Sequence, residues 1–179
     1  MSDIMLDLET LGTSPGCVIL SIGAVPFNST GAQDNVFYDR ISSADSKAHG
    51  FIVEEATEKW WKLQDPSAYK EATSGTLEIE EALVRFASYL EKFKTPVKIW
   101  GNGADFDNAI LAFAYKKLGI PVPWRYSNSR CYRTLAALFP TTKKPASASH
   151  VAVEDARIQA NHAARMISLH ELIFDRSRV

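Results

Sequence analysis

The chain reads as an α/β fold in which helices pack on one mixed sheet, and two observations predict this. Three β-prone runs come first, separated only by turn-rich segments. Helical periodicity then takes over, and a strand, tight turn and helix appear in the second half, giving the order βββ, helices, β-α-β-α.

The opening strands are Ile4 to Leu8, Cys17 to Phe27 and Asn35 to Ile41. They are broken by Gly12-Thr13-Ser14-Pro15-Gly16 and by Asn28-Ser29-Thr30-Gly31, so they form an antiparallel meander. Helical sequence follows over Glu54 to Leu63, then a turn of helix started by Pro66, then a long helix from Leu77 to Phe93. In that helix Ile79, Leu83, Phe86, Leu90 and Phe93 recur at steps of four and three, the mark of an amphipathic helix covering a sheet face. Val97 to Trp100 is a short strand. Gly101-Asn102-Gly103 turns it into a helix from Phe106 to Leu118, which Gly119 and Pro121 close. A further strand is expected over Trp124 to Ser127 and a short helix over Tyr132 to Phe139. The Thr-, Lys-, Pro- and Ser-rich segment Pro140 to Ser149 is expected to be a mobile loop before a last helix from Val153 onward.

At 179 residues, with no repeat, linker or low-complexity tract, residues 1–179 are expected to form one domain. An apolar fraction of 46% and a charged fraction of 23% exclude disordered and fibrous classes. No stretch approaches the ~20 apolar residues of a membrane span, and the start Met1-Ser2-Asp3-Ile4 lacks a basic segment followed by an apolar run. Cys17 and Cys131 lie far apart without metal-site spacing, which fits a reducing cytoplasm. The net charge of −1 conceals an asymmetry. From Asn108 to Val153 there is no Asp or Glu, whereas Lys116, Lys117, Arg125, Arg130, Arg133, Lys143 and Lys144 are all basic. That stretch is either a phosphate-binding face or a set of solvated charges.

Against this background the acids stand out by position. Asp7 and Glu9 are two apart at the end of a strand, so the pleat aims both at one face. Two carboxylates side by side repel, and a cation between them turns repulsion into binding. Asp107 opens a helix after the Val97 strand, with Asp105 competing for the same role. If Asp105 caps the helix, its oxygens are occupied by backbone amides and Asp107 is left as the ligand. His150 and Asp155, five apart, would face different ways on one helix, so a shared site requires His150 in the loop and Asp155 in the first helical turn. Together Asp7, Glu9, Asp107 and Asp155 suffice to hold two divalent ions about 3.5–4 Å apart, an arrangement suited to phosphodiester hydrolysis, with His150 as the base accepting the proton of the attacking water. His49, His162 and His170 lack such a context and read as structural or solvent-facing.

These residues fall into a known pattern. Asp7-Leu8-Glu9-Thr10, Asn102-Gly103-Ala104-Asp105-Phe106-Asp107 and His150-Val151-Ala152-Val153-Glu154-Asp155 resemble, in order, the three motifs of the DEDDh branch of the DnaQ-like 3′-5′ exonucleases. The resemblance implies a ribonuclease H-like fold with three antiparallel strands leading into parallel ones, and it selects Asp107 over Asp105 through the pair Phe106-Asp107. It also implies that Thr10 and Leu11 contact the terminal nucleotide, Leu11 as an apolar wedge, with Phe106 on the substrate side. Thr57-Glu58-Lys59-Trp60-Trp61-Lys62-Leu63-Gln64 is similar to a helix of the exonuclease VIII-like and ribonuclease AS-like members. One of Trp60 and Trp61 then lines the substrate groove by stacking on unpaired bases, unless both are core packing.

The resemblance therefore implies removal of nucleoside 5′-monophosphates from the 3′ end of single-stranded DNA or RNA with two Mg²⁺ or Mn²⁺, in a protein that forms a homodimer. The alternative is a proofreading or processing subunit acting mainly by binding a polymerase, helicase or RNA assembly. A degenerate binding module would have lost ligands that are all present here, and a ribonuclease H-type endonuclease would not carry the His150-Asp155 pair.

Overall fold

The computed structural model describes residues 2–142 and 150–174. At the centre of a six-stranded sheet lies β1 (Ser2–Thr10). One side of β1 pairs antiparallel with β2 (Ile19–Asn28), whose far edge is shared by β3 (Gly31–Ala32) and β4 (Phe37–Arg40), both antiparallel to it. The other side pairs parallel with β5 (Val97–Gly101), which in turn pairs parallel with the edge strand β6 (Ser129–Cys131). The mixed sheet expected from the order of elements is present.

The helices are α1 (Ser43–Ala48), α2 (Glu55–Lys62), α3 (Pro66–Thr73), α4 (Ile79–Glu91), α5 (Asp107–Lys117), α6 (Tyr132–Leu138) and α7 (Ala152–Phe174). Only α1 has no counterpart in the sequence reading. It has six residues, too few to display a period, and its stop and start are local: the Ser42 hydroxyl accepts from the Asp45 amide. The strand expected over Trp124 to Ser127 is absent. A 3₁₀ turn, Tyr126–Asn128, stands there, because the Asn128 amide closes back on the Arg125 carbonyl and the Asn128 side chain donates to the Val97 carbonyl at 3.0 Å. Ladder pairing starts only at Ser129, opposite Ile99. Of the mobile loop expected over Pro140 to Ser149, residues 143–149 lie outside the described residues. No described helix is long and apolar enough to cross a membrane.

The sheet has two dressed faces, and period-two alternation assigns side chains to them. Ile4, Leu6 and Leu8 of β1 join Leu83 and Phe86 of α4 and Ile110, Leu111 and Tyr115 of α5 in the larger core. Met5 points the opposite way, into a smaller core with Val25, Phe27 and Trp100 beneath α7. There α7 presents an alanine on each turn, Ala152, Ala156 and Ala160, followed by Ala163, so the helix lies close to the sheet. Gly23 completes this approach. Paired with Asp7 in register, it sits where a Cβ would come within 2.3 Å of the Ala152 carbonyl carbon and the Val153 nitrogen.

Candidate active site

Because Met5 faces α7, Asp7 and Glu9 face it too, at the C-terminal end of β1. There α7 returns Asp155 in its first turn and Gln159 one turn later. The Gln159 side chain donates from Nε2 to Asp7 Oδ1 at 2.7 Å, fixing a carboxylate 152 residues away in sequence. Ligand atoms of Glu9, His150 and Asp155 all lie within 4.8 Å of one another. His150 precedes α7 with φ at +49°, which swings its ring back over the helix start. Its ring rests edge-on against Trp60 at 5.2 Å and Trp61 at 5.7 Å between centroids.

Asp107 arrives from the sheet's other half. Pairing of β1 with β5 ends at Met5 and Trp100, so the strands part and leave the Leu8 and Asn102 amides without ladder partners there. The Asp107 carboxylate fills the split: Oδ1 accepts from Leu8 at 3.1 Å and Oδ2 from Asn102 at 2.8 Å. Gly103, at φ +129°, makes the turn that brings it in, a conformation side chains rarely adopt. The expected division of labour with Asp105 is corrected here. The cap position is Phe106, with no side-chain cap bond, and Asp105 is exposed, so it is Asp107 that engages backbone amides while remaining among the acids.

The residues enclose a cleft of about 570 Å³. Asp7, Glu9, Asp155 and His150 line one end, and Thr10, Phe106, Trp60 and Trp61 also border it. The two tryptophans separate cleanly. Trp60 is 43% exposed, whereas Trp61 is 1% exposed and anchored by its indole nitrogen to the Thr10 carbonyl at 2.8 Å. Trp61 therefore shows the cleft only an edge and serves the core. Leu11 is buried in the larger core and does not border the cleft, so the structure does not bring the expected apolar wedge to it. His162, read as structural or solvent-facing, is buried between the Tyr132 hydroxyl at 2.7 Å and the Thr142 hydroxyl at 2.9 Å.

Crowded carboxylates in a buried setting resist ionisation. Burial, then the charges of Asp107 and Glu9, hold the Asp7 carboxyl well above the ordinary carboxylate range. Burial, then Asp155 and Asp107, push Glu9 up to about 8. Asp107 rises to about 7 through burial, against the pull of its two backbone amides and of Arg133. Such a group is short of positive charge. In addition, Gln159 Oε1 and Asn102 Oδ1 are buried beside the acids without a hydrogen-bond partner among the described residues. Oxygen-rich donors, excess negative charge and unsatisfied acceptors fit a hydrated divalent cation. Sequence reasoning missed Gln159. Its i+4 spacing from Asp155 was visible, but nothing in the sequence marks Asp7 as its partner.

Comparison with known proteins bears on this geometry. The sequence model of a family described as the 3′-5′ exoribonuclease Rv2179c-like domain matches residues 2–167. No curated protein matches the sequence. Among solved structures, E. coli exonuclease I bound to single-stranded DNA is similar with a TM-score of 0.64 at 16% identity, over 98% of this chain and 41% of that one. Exonuclease I of Methylocaldum szegediense is similar with a TM-score of 0.60 at 16% identity, over 97% and 43%. The nuclease domain of 3′hExo, a DEDDh family member bound to rAMP, gives 0.61 at 10% identity, over 93% and 91%. The chain thus spans about two fifths of the exonuclease I chains but nearly the whole of the 3′hExo domain. At these identities the likeness is one of fold, the ribonuclease H-like exonuclease fold.

Proposed function

The chain belongs to the family of Rv2179c-like 3′-5′ exoribonuclease domains, and from that premise we propose that it is a 3′-5′ exonuclease that trims single-stranded nucleic acid, using Asp7, Glu9, Asp107 and Asp155 to hold two Mg²⁺ or Mn²⁺ ions and His150 as general base. The convergence of three separate chain segments on one acidic cleft carries this reading.

Two ions held there would supply a water of lowered pKa and charge stabilisation for the leaving 3′-oxygen. The chain's own residues do the rest. Asp7 is kept in one orientation by Gln159, and Asp107 by the Leu8 and Asn102 amides, so the donor set is preorganised before anything binds. His150, a neighbour of Glu9 and Asp155, is within reach to accept the proton of a water held among them. The exposed face of Trp60 offers the terminal base a stacking surface, and Phe106 borders the same cleft. The family's description favours RNA, while the E. coli relative's complex with single-stranded DNA supports an unpaired strand as the substrate form.

The test is degradation of matched 5′-labelled single-stranded RNA and DNA in Mg²⁺ or Mn²⁺ by the wild type, Asp107→Ala and His150→Ala. A ladder shortening from the 3′ end, abolished by chelator and by both substitutions, is expected. Shortening that survives both substitutions would place the chemistry elsewhere.

A further inference from the structure

A second depression starts beside the acidic cleft and runs along α5. Its volume is about 380 Å³, and its lining includes Ala104, Asn108, Lys116, Trp124, Tyr126 and Ser129. Its near end adjoins the acids: Ala104 follows Asn102 and Gly103, and Asn102 borders the acidic cleft. Arg133 marks the junction, for a Cβ on Gly103 would lie 3.9 Å from its guanidinium carbon, and its charge is felt by Asp107. From there the eleven residues of α5 lead away over roughly 16 Å.

Basic side chains and an exposed aromatic ring come together at this groove. Some cations elsewhere are engaged, Arg40 with Glu71, Lys59 with Glu55, Lys62 with Glu58, Arg85 with Asp39 and Lys98 with Asp3, whereas others such as Lys70 and Lys92 are not. Among the described residues, Lys116, Arg125, Arg130 and Arg133 make no ion pair, and the segment Asn108 to Val153 that carries them has no Asp or Glu of its own. The groove floor is apolar, and Tyr126 stands over it 92% exposed, a ring with nothing packed on it. Unpaired cations beside an exposed ring are the two elements that bind an unpaired polynucleotide strand: phosphates by charge, bases by stacking.

We propose that this groove carries the body of the substrate strand upstream of its 3′ end, with Lys116 and Arg133 on its phosphates and Tyr126 stacked on a base. This rests on the exonuclease reading above, which fixes the acidic cleft as the place of the 3′ end. The groove then makes binding depend on strand length, because only a strand that continues past the acidic cleft can reach Tyr126.

Binding and cleavage separate the two readings. Fluorescence anisotropy with metal chelated compares a long 5′-labelled single strand with a dinucleotide, for the wild type, Tyr126→Ala and Lys116→Glu; both residues are exposed, so the core is untouched. Tyr126→Ala is expected to weaken the long strand about tenfold. Lys116→Glu is expected to flatten the plot of log affinity against log salt by roughly 0.7. Dinucleotide binding stays as in the wild type in both. Unchanged affinity and salt slope for the long strand, or an equal loss for the dinucleotide, would overturn the groove. Absence of any cleavage by the wild type in Mg²⁺ or Mn²⁺ would instead strike the exonuclease reading, leaving the binding result to stand by itself.

Discussion

Asp107 and His150, both assigned to the proposed site, are held in opposite ways. Two backbone amides at the parting of β1 and β5 grip the Asp107 carboxylate, and burial encloses it. His150 stands outside any helix or strand at a positive φ and leans on two indole edges. The first is part of the sheet's own hydrogen bonding. The second is a ring parked on a wall, free to turn once the wall is altered. A site built this way has a firmly held acidic floor and a peripherally packed histidine.

The largest expected effect breaks the floor. Asp107→Ala removes a proposed cation ligand and strips two amides of their acceptor, so kcat/KM should fall at least about 10³-fold and the melting temperature with it. His150→Ala should lower kcat by about 10²- to 10⁴-fold while leaving the melting temperature near that of the wild type, because its packing is peripheral. Single-turnover kinetics beside thermal unfolding checks both, and equal destabilisation by the two substitutions would erase the contrast.

Gln159→Met sharpens the comparison from the floor side. It keeps the volume and deletes the donor to Asp7, so Mn²⁺ affinity measured by calorimetry should drop about 10- to 100-fold, with activity restored by added metal. Trp60→Ala does the same from the wall side. Losing an edge-to-face contact worth about 0.5–1.5 kcal/mol should cost kcat roughly two- to tenfold without moving Mn²⁺ affinity.

The smallest effect concerns pH. Burial raises the folded-state pKa values of Asp7, Glu9 and Asp107, so from the ordinary carboxylate range near pH 4 up to about 8 the folded, metal-free chain holds more protons than the unfolded one. Stability contributed by these protonated groups is present at low pH and lost as pH rises through those values. In chelator the melting temperature should therefore decline between about pH 4 and pH 8, and Glu9→Gln should flatten the decline. Mg²⁺ should raise the melting temperature more at the alkaline end, where fewer protons compete for the oxygens.

The floor was also the more legible half. Alternation in Ile4-Met5-Leu6-Asp7-Leu8-Glu9 foretold that the two acids share a face, and the apolar steps in α4 foretold what covers the other face. Local chemistry misled where tertiary contacts decide. Asp105 looked like the cap, yet the amides that matter belong to a split between strands that no linear pattern reveals. Trp124 to Ser127 looked extended, yet Asn128 reaching to Val97 turns it. Trp60 and Trp61 are adjacent and chemically identical, and only the fold could say which one faces the cleft.

Gly23 belongs to none of this chemistry, yet it sets how near α7 can come. A single methyl group there would act as a shim under the helix start, lifting Asp155 and Gln159 together away from Asp7 and Glu9. The protein would then keep every polar residue of its active site and still lose its grip on the metal. A gap in a side-chain layer is thus one of the site's dimensions, and a sequence could be judged competent by its catalytic residues and yet be disabled at this glycine.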